Sequence, residues 1–184
     1  MHQVQEDGRD RLRVQRHTLS LLWPQDPYEG AADHGQEDES SLTKLKVTTS
    51  RDPSQRTRRL GKALARFLAV PYVNRGKQGL GDESWIVVVE DHGNPTGFIK
   101  RSGELEEMLG FTVSIEPQTR QLKSIRPSVV GTSDDARAVA EFFDLDLLNG
   151  SSSPDDIQRY ILAAPGHLDF IDGEETIIRL RLRS

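Results

Sequence analysis

Residues 46–68 constrain the fold more than any other stretch: Lys46-Val-Thr-Thr-Ser-Arg-Asp-Pro-Ser-Gln-Arg-Thr-Arg-Arg-Leu-Gly-Lys-Ala-Leu-Ala-Arg-Phe-Leu68. Val47 and Thr49 alternate with polar neighbours and carry β-branched side chains, which suit a strand. Asp52 stands where a helix N-cap belongs, and Pro53 follows at the first helical position, where its missing N–H costs nothing. Gln55 falls three residues after Asp52 and completes the pattern of a capping box. Leu60, Leu64, Phe67 and Leu68 recur at helical spacing as one apolar stripe. Gln55, Arg58, Arg59, Lys62 and Arg66 lie on the other side, and Pro71 closes the helix. The spacing therefore predicts a strand, a sharp turn and a helix with one buried and one cationic face.

Charge makes that face unusual. The chain of 184 residues has a formal net charge of −5. From Lys46 to Gly81 it carries nine Lys or Arg against one acid, Asp52, whereas from Asp82 to Ile178 it carries seven basic and nineteen acidic residues. A basic segment inside an acidic protein points to a local anion-binding surface; the bland alternative is that the acids elsewhere neutralise it in salt bridges. Cysteine is absent, which removes disulfides, thiolate metal sites and cysteine nucleophiles together. No apolar run approaches the length of a membrane span. The cluster Leu19 to Trp23 is too short, and wrongly flanked, for a signal peptide. A cytoplasmic location is expected.

Residues 1–44 read as a disordered or weakly ordered tail, polar and acidic from Asp26 to Ser41. Length allows one domain or two small lobes in the remainder. Tyr72-Val73 reads as a short strand and Asn74 to Gly81 as a glycine-rich loop. Trp85 to Val89 is a buried central strand, paired with Gly97 to Lys100 across the turn Asp91-His-Gly-Asn-Pro95. Gly103 to Leu109 suggests a short helix with Leu105, Met108 and Leu109 facing inward. Strands are expected at 111–115 and 121–125; Ser128-Val-Val130 leads into Gly131-Thr-Ser-Asp-Asp135, and a helix follows to about Asp144. Ser153 and Pro154 start another helix with Ile157, Tyr160, Ile161 and Ala164 as its stripe. A hairpin through Asp172-Gly173 ends the chain. Thr48-Thr-Ser-Arg-Asp52 and Gly131-Thr-Ser-Asp-Asp135 each precede a helix, a faint internal echo.

Three features carry chemistry. Arg58, Arg59, Lys62 and Arg66 share one helix side, suited to phosphate. The loop offers Asn74, Arg75 and Lys77, but neither a P-loop nor a dinucleotide fingerprint is present, so no nucleotide cofactor is expected. Arg179, Arg181 and Arg183 alternate with Ile178, Leu180 and Leu182, which makes either a second cationic surface or a charged, aggregation-resistant edge strand. His2, His17, His34, His92 and His167 are scattered, and no metalloprotease or nucleophile-elbow motif occurs. No catalytic residue and no metal site are assigned.

Thr48 to Arg58, followed by Tyr72-Val-Asn-Arg-Gly-Lys77, resembles the Brix domain in its compact archaeal form. The strand at 85–89, the His92-Gly-Asn-Pro95 turn and the length of 46–184 also fit. The archaeal members are similar to the small-subunit processome Brix protein of eukaryotes. The resemblance implies an α/β (α+β) fold of two similar lobes, about 45–110 and 111–184. Each would be a small mixed sheet packed with helices, resembling the anticodon-binding domain of class IIa aminoacyl-tRNA synthetases. It implies ribosome biogenesis without catalysis: binding of ribosomal RNA or its precursors, with Arg51, Arg56, Arg58, Arg59, Arg75 and Lys77 as the family's basic residues. The expected site is Arg51, Gln55, Arg56, Arg58, Arg59, Lys62, Arg66, Asn74, Arg75 and Lys77. The rival reading is an adaptor for other ribosome-assembly proteins, held in a groove between the lobes or on the strand 179–183. No membrane and no small-molecule substrate are expected as partners.

Overall fold

The computed structural model describes residues 45–76, 79–81, 83–118, 121–148 and 157–183, and the backbone of 15–17. The expected tail lies outside these residues except for β1 (Gln15–His17). The first half then runs β2 (Lys46–Thr49), α1 (Gln55–Leu68), β3 (Trp85–Asp91), β4 (Asn94–Ser102) and β5 (Leu105–Ile115). The second runs β6 (Ser128–Val130), α2 (Asp134–Phe143), β7 (Leu147–Leu148), β8 (Arg159–Ala164), β9 (His167–Asp172) and β10 (Glu175–Leu182).

All the strands join one sheet in the order β2-β3-β4-β5-β10-β9-β8-β6-β7, with β1 added beside β5. The order repeats a unit. β2 crosses through α1 to pair in parallel with β3, and β3, β4 and β5 continue as an antiparallel meander. β6 crosses through α2 to pair in parallel with β8, and β8, β9 and β10 continue likewise. The antiparallel pair β5–β10 joins the two units. Even the small extra pairing recurs: Tyr72 bridges Val47 in parallel, as β7 pairs with β6.

Alternate residues of the strands face both helices. Val47, Ile86, Val88, Phe98, Phe111, Leu180, Phe170 and Ile161 are buried in one core with the apolar stripes of α1 and α2. Aromatic rings cross between the halves: Phe67 of α1 meets Phe170 of β9 at 5.2 Å, and Phe143 of α2 meets Phe98 of β4 at 6.0 Å. So do helix caps. Lys100 of β4 donates to the carbonyl of Glu141 at 2.7 Å and to Asp144 at 2.6 Å, at the end of α2. The wholly buried Arg159 of β8 reaches the carbonyl of Phe67 at 3.4 Å, at the end of α1. Cations suit helix C-termini, where carbonyls point outward.

Several expectations are corrected. Residues 103–109 do not form a helix. Gly103, with φ +58°, turns the chain tightly between β4 and β5, and Leu109, Phe111, Val113 and Ile115 extend a period-two pattern that outlasts the local helical one. Leu105 and Met108 are 61% and 44% exposed, not inward. Residues 111–115 are the second half of β5. The 121–125 segment makes no ladder. The helix expected over 153–164 is replaced from Arg159 by β8, in which Arg159, Ile161 and Ala163 are buried with strand period; its start, 151–156, lies outside the described residues. Tyr72-Val73 contributes a single bridge and no strand.

Candidate nucleic-acid interface

The carboxyl end of β2 is the natural place for a ligand, because the chain leaves a parallel pair there and opens a crevice. Ser50 donates its N–H to the carbonyl of Val88 at 3.0 Å, still in register with β3. Asp52 then takes φ +51° and turns the chain into α1. The segment after α1 returns alongside. Thr48 Oγ1 donates to the carbonyl of Val73 at 2.8 Å, which brings Asn74, Arg75 and Gly76 opposite the turn. Between them lies a cleft of about 580 Å³ lined by Thr49, Ser50, Asp52, Arg58, Asn74 and Arg75 among others.

The N-terminus of α1 is capped from within. The cap is Ser54, not Asp52. Its hydroxyl accepts from the Thr57 N–H at 3.1 Å and donates to the Gly93 carbonyl at 2.8 Å. Pro53 precedes the cap, and Gln55 opens the helix without closing a box to Asp52. The Ser54 N–H donates to both Glu90 oxygens, at 3.1 and 3.0 Å. Burial raises the Glu90 pKa, but hydrogen bonds from the side chains of Thr57 and Ser54 and from the Ser54 backbone outweigh it and hold the carboxyl below its ordinary value. A carboxylate of the protein thus occupies the helix end that an incoming phosphate would otherwise favour.

The expected cations divide. Arg58 and Arg75 line the cleft together with Arg51 and Asn74. Gln55, Arg59, Lys62 and Arg66 are exposed along the outer side of α1. The Lys62 ammonium lies 5.9 Å from the ring of Tyr72, and a Cβ at Gly61 would meet that ring at 3.1 Å. Tyr72 therefore packs on the helix. Arg56 points the other way, donating to Glu116 and Asn94 at 2.5 Å, and belongs to a surface ion pair. Lys77 lies outside the described residues. On β10, Arg179 is bidentate to Asp169 at 2.5 and 2.8 Å, and that partner raises its pKa. Arg181 and Arg183 are exposed, on the sheet face away from the helices. Sequence reasoning missed Thr48 and Thr49 as lining residues, Ser54 as the cap and Glu90 as the acceptor of its N–H; the only signal for Thr48 and Thr49 was their place at the end of a parallel strand.

Where α1 meets Leu122 and Ile177, the depression encloses only about 10 Å³. Among the described residues no three His, Asp or Glu side chains cluster as metal ligands, and no helix is long and apolar enough to cross a membrane.

No protein-family model matches the chain. A probable Brix domain-containing ribosomal biogenesis protein of Methanosarcina barkeri is 33% identical over 156 residues, covering 74% of this chain and 96% of that protein. A protein of the same description from Methanothermobacter thermautotrophicus is 41% identical over 93 residues, 45% of this chain and 59% of that one. Among solved structures, the archaeal Imp4-like protein Mil superposes with a TM-score of 0.62 at 26% identity, covering 76% of this chain and 97% of that one.

Proposed function

The chain belongs to the Brix domain-containing ribosomal biogenesis proteins, and from that premise we propose that it is a non-enzymatic factor that binds ribosomal RNA or its precursors during ribosome assembly, in the cytoplasm. The observation that carries the reading is the junction of cleft and helix. Arg51, Arg58 and Arg75 line one concave site, and Arg59, Lys62 and Arg66 continue it along an exposed helix face. Such an array fits a phosphate backbone with irregular or single-stranded geometry better than a groove-reading helix.

We also read residues 45–184 as the Brix domain, built of two like lobes of about 45–110 and 111–184. Each would resemble the anticodon-binding domain of class IIa aminoacyl-tRNA synthetases. The repeated strand order supports this, with the boundary falling inside β5. The rival reading, an adaptor for assembly proteins, draws on the exposed Arg181 and Arg183 and on Met108. The depression between α1 and β10 gives a partner little to enter.

The test is binding of a ribosomal RNA fragment across a salt series. With six cations engaged, log affinity should fall against log salt with a slope of about −4 for single-stranded RNA. Reversing Arg58, Arg59 and Lys62 to Glu should abolish binding with the fold intact. Unchanged affinity in that variant refutes the assignment, and partner capture that survives nuclease treatment without RNA crosslinks to 51–77 favours the adaptor.

A further inference from the structure

We propose that the cleft at the end of β2 receives one unpaired ribonucleotide, with its phosphate between Arg58 and Arg75 and its ribose 2′-hydroxyl on Asp52. The inference rests on the RNA-binding reading and adds the form of the ligand.

Shape comes first. A phosphate-tracking surface needs only an exposed ridge, which Arg59, Lys62 and Arg66 already supply. The cleft is concave, and its 580 Å³ falls within the roughly 300–1,000 Å³ of sites that enclose a single small ligand. A base held in a duplex stack cannot enter such a site without leaving the stack.

Charge then orders the ligand. The helix end is closed to a phosphate by Glu90, which takes the Ser54 N–H. The charged donors that line the cleft are the guanidinium groups of Arg51, Arg58 and Arg75, and they suit a phosphate in forked geometry. Arg75 carries a second sign of an intended acceptor: its Nε is buried and has no hydrogen-bond partner among the described residues. A buried donor without an acceptor is rare and needs an explanation.

Asp52 is the remaining oddity. It is the single acid between Lys46 and Gly81, it is exposed, and it lines the cleft. Its carboxylate repels a phosphate placed beside it. The same carboxylate accepts from a hydroxyl, and the 2′-hydroxyl is the group that distinguishes RNA from DNA; carboxylates play that part toward ribose in dinucleotide sites. Aspartate is no more at home than asparagine at the positive φ of this turn, so the turn alone does not call for the charge. Among the described residues no aromatic ring lines the cleft, so the nucleotide is held by its sugar and phosphate and by polar edges from Thr49, Ser50 and Asn74.

The experiment uses the full chain and four probes of about 12 nucleotides, the scale of single-strand sites: a single-stranded RNA, the DNA of the same sequence, a blunt RNA duplex, and that duplex with one bulged nucleotide. The expected order is single-stranded RNA close to the bulged duplex, with the blunt duplex and the DNA each about five- to tenfold weaker, the scale of one or two lost hydrogen bonds. Asp52→Asn keeps the turn and should collapse the preference for RNA over DNA, chiefly by raising affinity for DNA. Equal binding of RNA and DNA, or of blunt and bulged duplexes, overturns the inference. If the Arg58, Arg59 and Lys62 reversal still abolishes that equal binding, the RNA reading stands alone. Failure of every RNA probe to bind overturns both.

Discussion

Replacing Arg159 by Met should unfold the protein at lower denaturant by a predictable amount. The side chain is fully buried. Its Nε donates to Asp172 Oδ1 at 3.0 Å, and Nη1 donates to the carbonyls of Lys123 and Ile125 at 2.8 and 2.9 Å. The guanidinium also lies 5.7 Å from the ring of Phe67. Methionine replaces most of the stem, so the cavity term is small. The larger loss is electrostatic: removing one partner of a buried pair costs about 3–5 kcal/mol, because the other charge stays buried. An offset of about 1 kcal/mol comes from Nη2, a buried donor with no acceptor among the described residues. The net loss is about 2–4 kcal/mol, which moves the urea midpoint down by about 1–2 M at an m-value near 2 kcal/mol/M. Urea titrations followed by far-ultraviolet circular dichroism and by Trp fluorescence measure it. The double variant with Asp172→Asn should recover part of the loss, since the buried carboxylate that faced the guanidinium is then neutral. A loss below about 1 kcal/mol, within the range of an ordinary surface change, refutes the argument, as does a double variant no more stable than the single one.

Ser54→Ala removes the α1 cap and the bond to Gly93 and should cost about 1 kcal/mol by the same titration. Gly131→Ala places a Cβ 2.6 Å from that of Ala136 and should cost about 1–3 kcal/mol by overpacking, mainly through the start of α2. Glu90→Gln tests the depressed carboxyl. Its folded pKa lies below the ordinary value, so its contribution is fully present above the carboxylate range and is lost as pH falls through the folded pKa. The variant should be less stable than the parent at neutral pH, with the gap closing in acid; a gap independent of pH refutes the role.

The elements legible in the sequence are those whose signal is local and single. The stripe Leu60, Leu64, Phe67 and Leu68 has only a helical reading, and all four are buried on α1. The β3–β4 hairpin was legible because His92-Gly93 can both take positive φ, as they do at +48° and +79°. The misreadings came where two periods overlap. Leu105, Met108 and Leu109 satisfy helical spacing, and only the long alternation from Leu109 to Ile115 decides for a strand. Ser153, Pro154 and two aspartates look like a helix start, yet Arg159, Ile161 and Ala163 alternate into the core. At the candidate site, Arg58 and Arg75 were legible as charge in a basic segment, and Asn74 by its place in the glycine-rich loop. Glu90 and Arg159 were not, because Glu90 meets Ser54 36 residues away and Arg159 meets the Phe67 carbonyl 92 residues away, and no local pattern encodes such pairs.

Those long-range pairs explain how a helix with a mostly solvated face can present a defined surface. α1 is held at its N-terminus by Glu90 and Gly93 from the β3–β4 hairpin and at its C-terminus by Arg159 from β8. Its middle sits close on β2 because Gly61 leaves room for Thr49 and Tyr72. Lys100 makes the reciprocal contact, from the first half to the end of α2. Each helix therefore takes its orientation from both halves of the sheet. A cationic side chain gains little from a distant phosphate in water, so the value of Arg58 and Arg75 depends on their being held at a fixed separation before the ligand arrives. Arg159 is not among the described residues that line the cleft, yet it meets the end of the helix that carries Arg58. On that account Arg159→Met, under conditions where it remains folded, should weaken RNA binding with the salt slope unchanged: the same phosphates are met by a less ordered array. A changed slope would mean that Arg159 alters which cations are engaged, and an unchanged affinity would mean that the first half sets the cleft by itself.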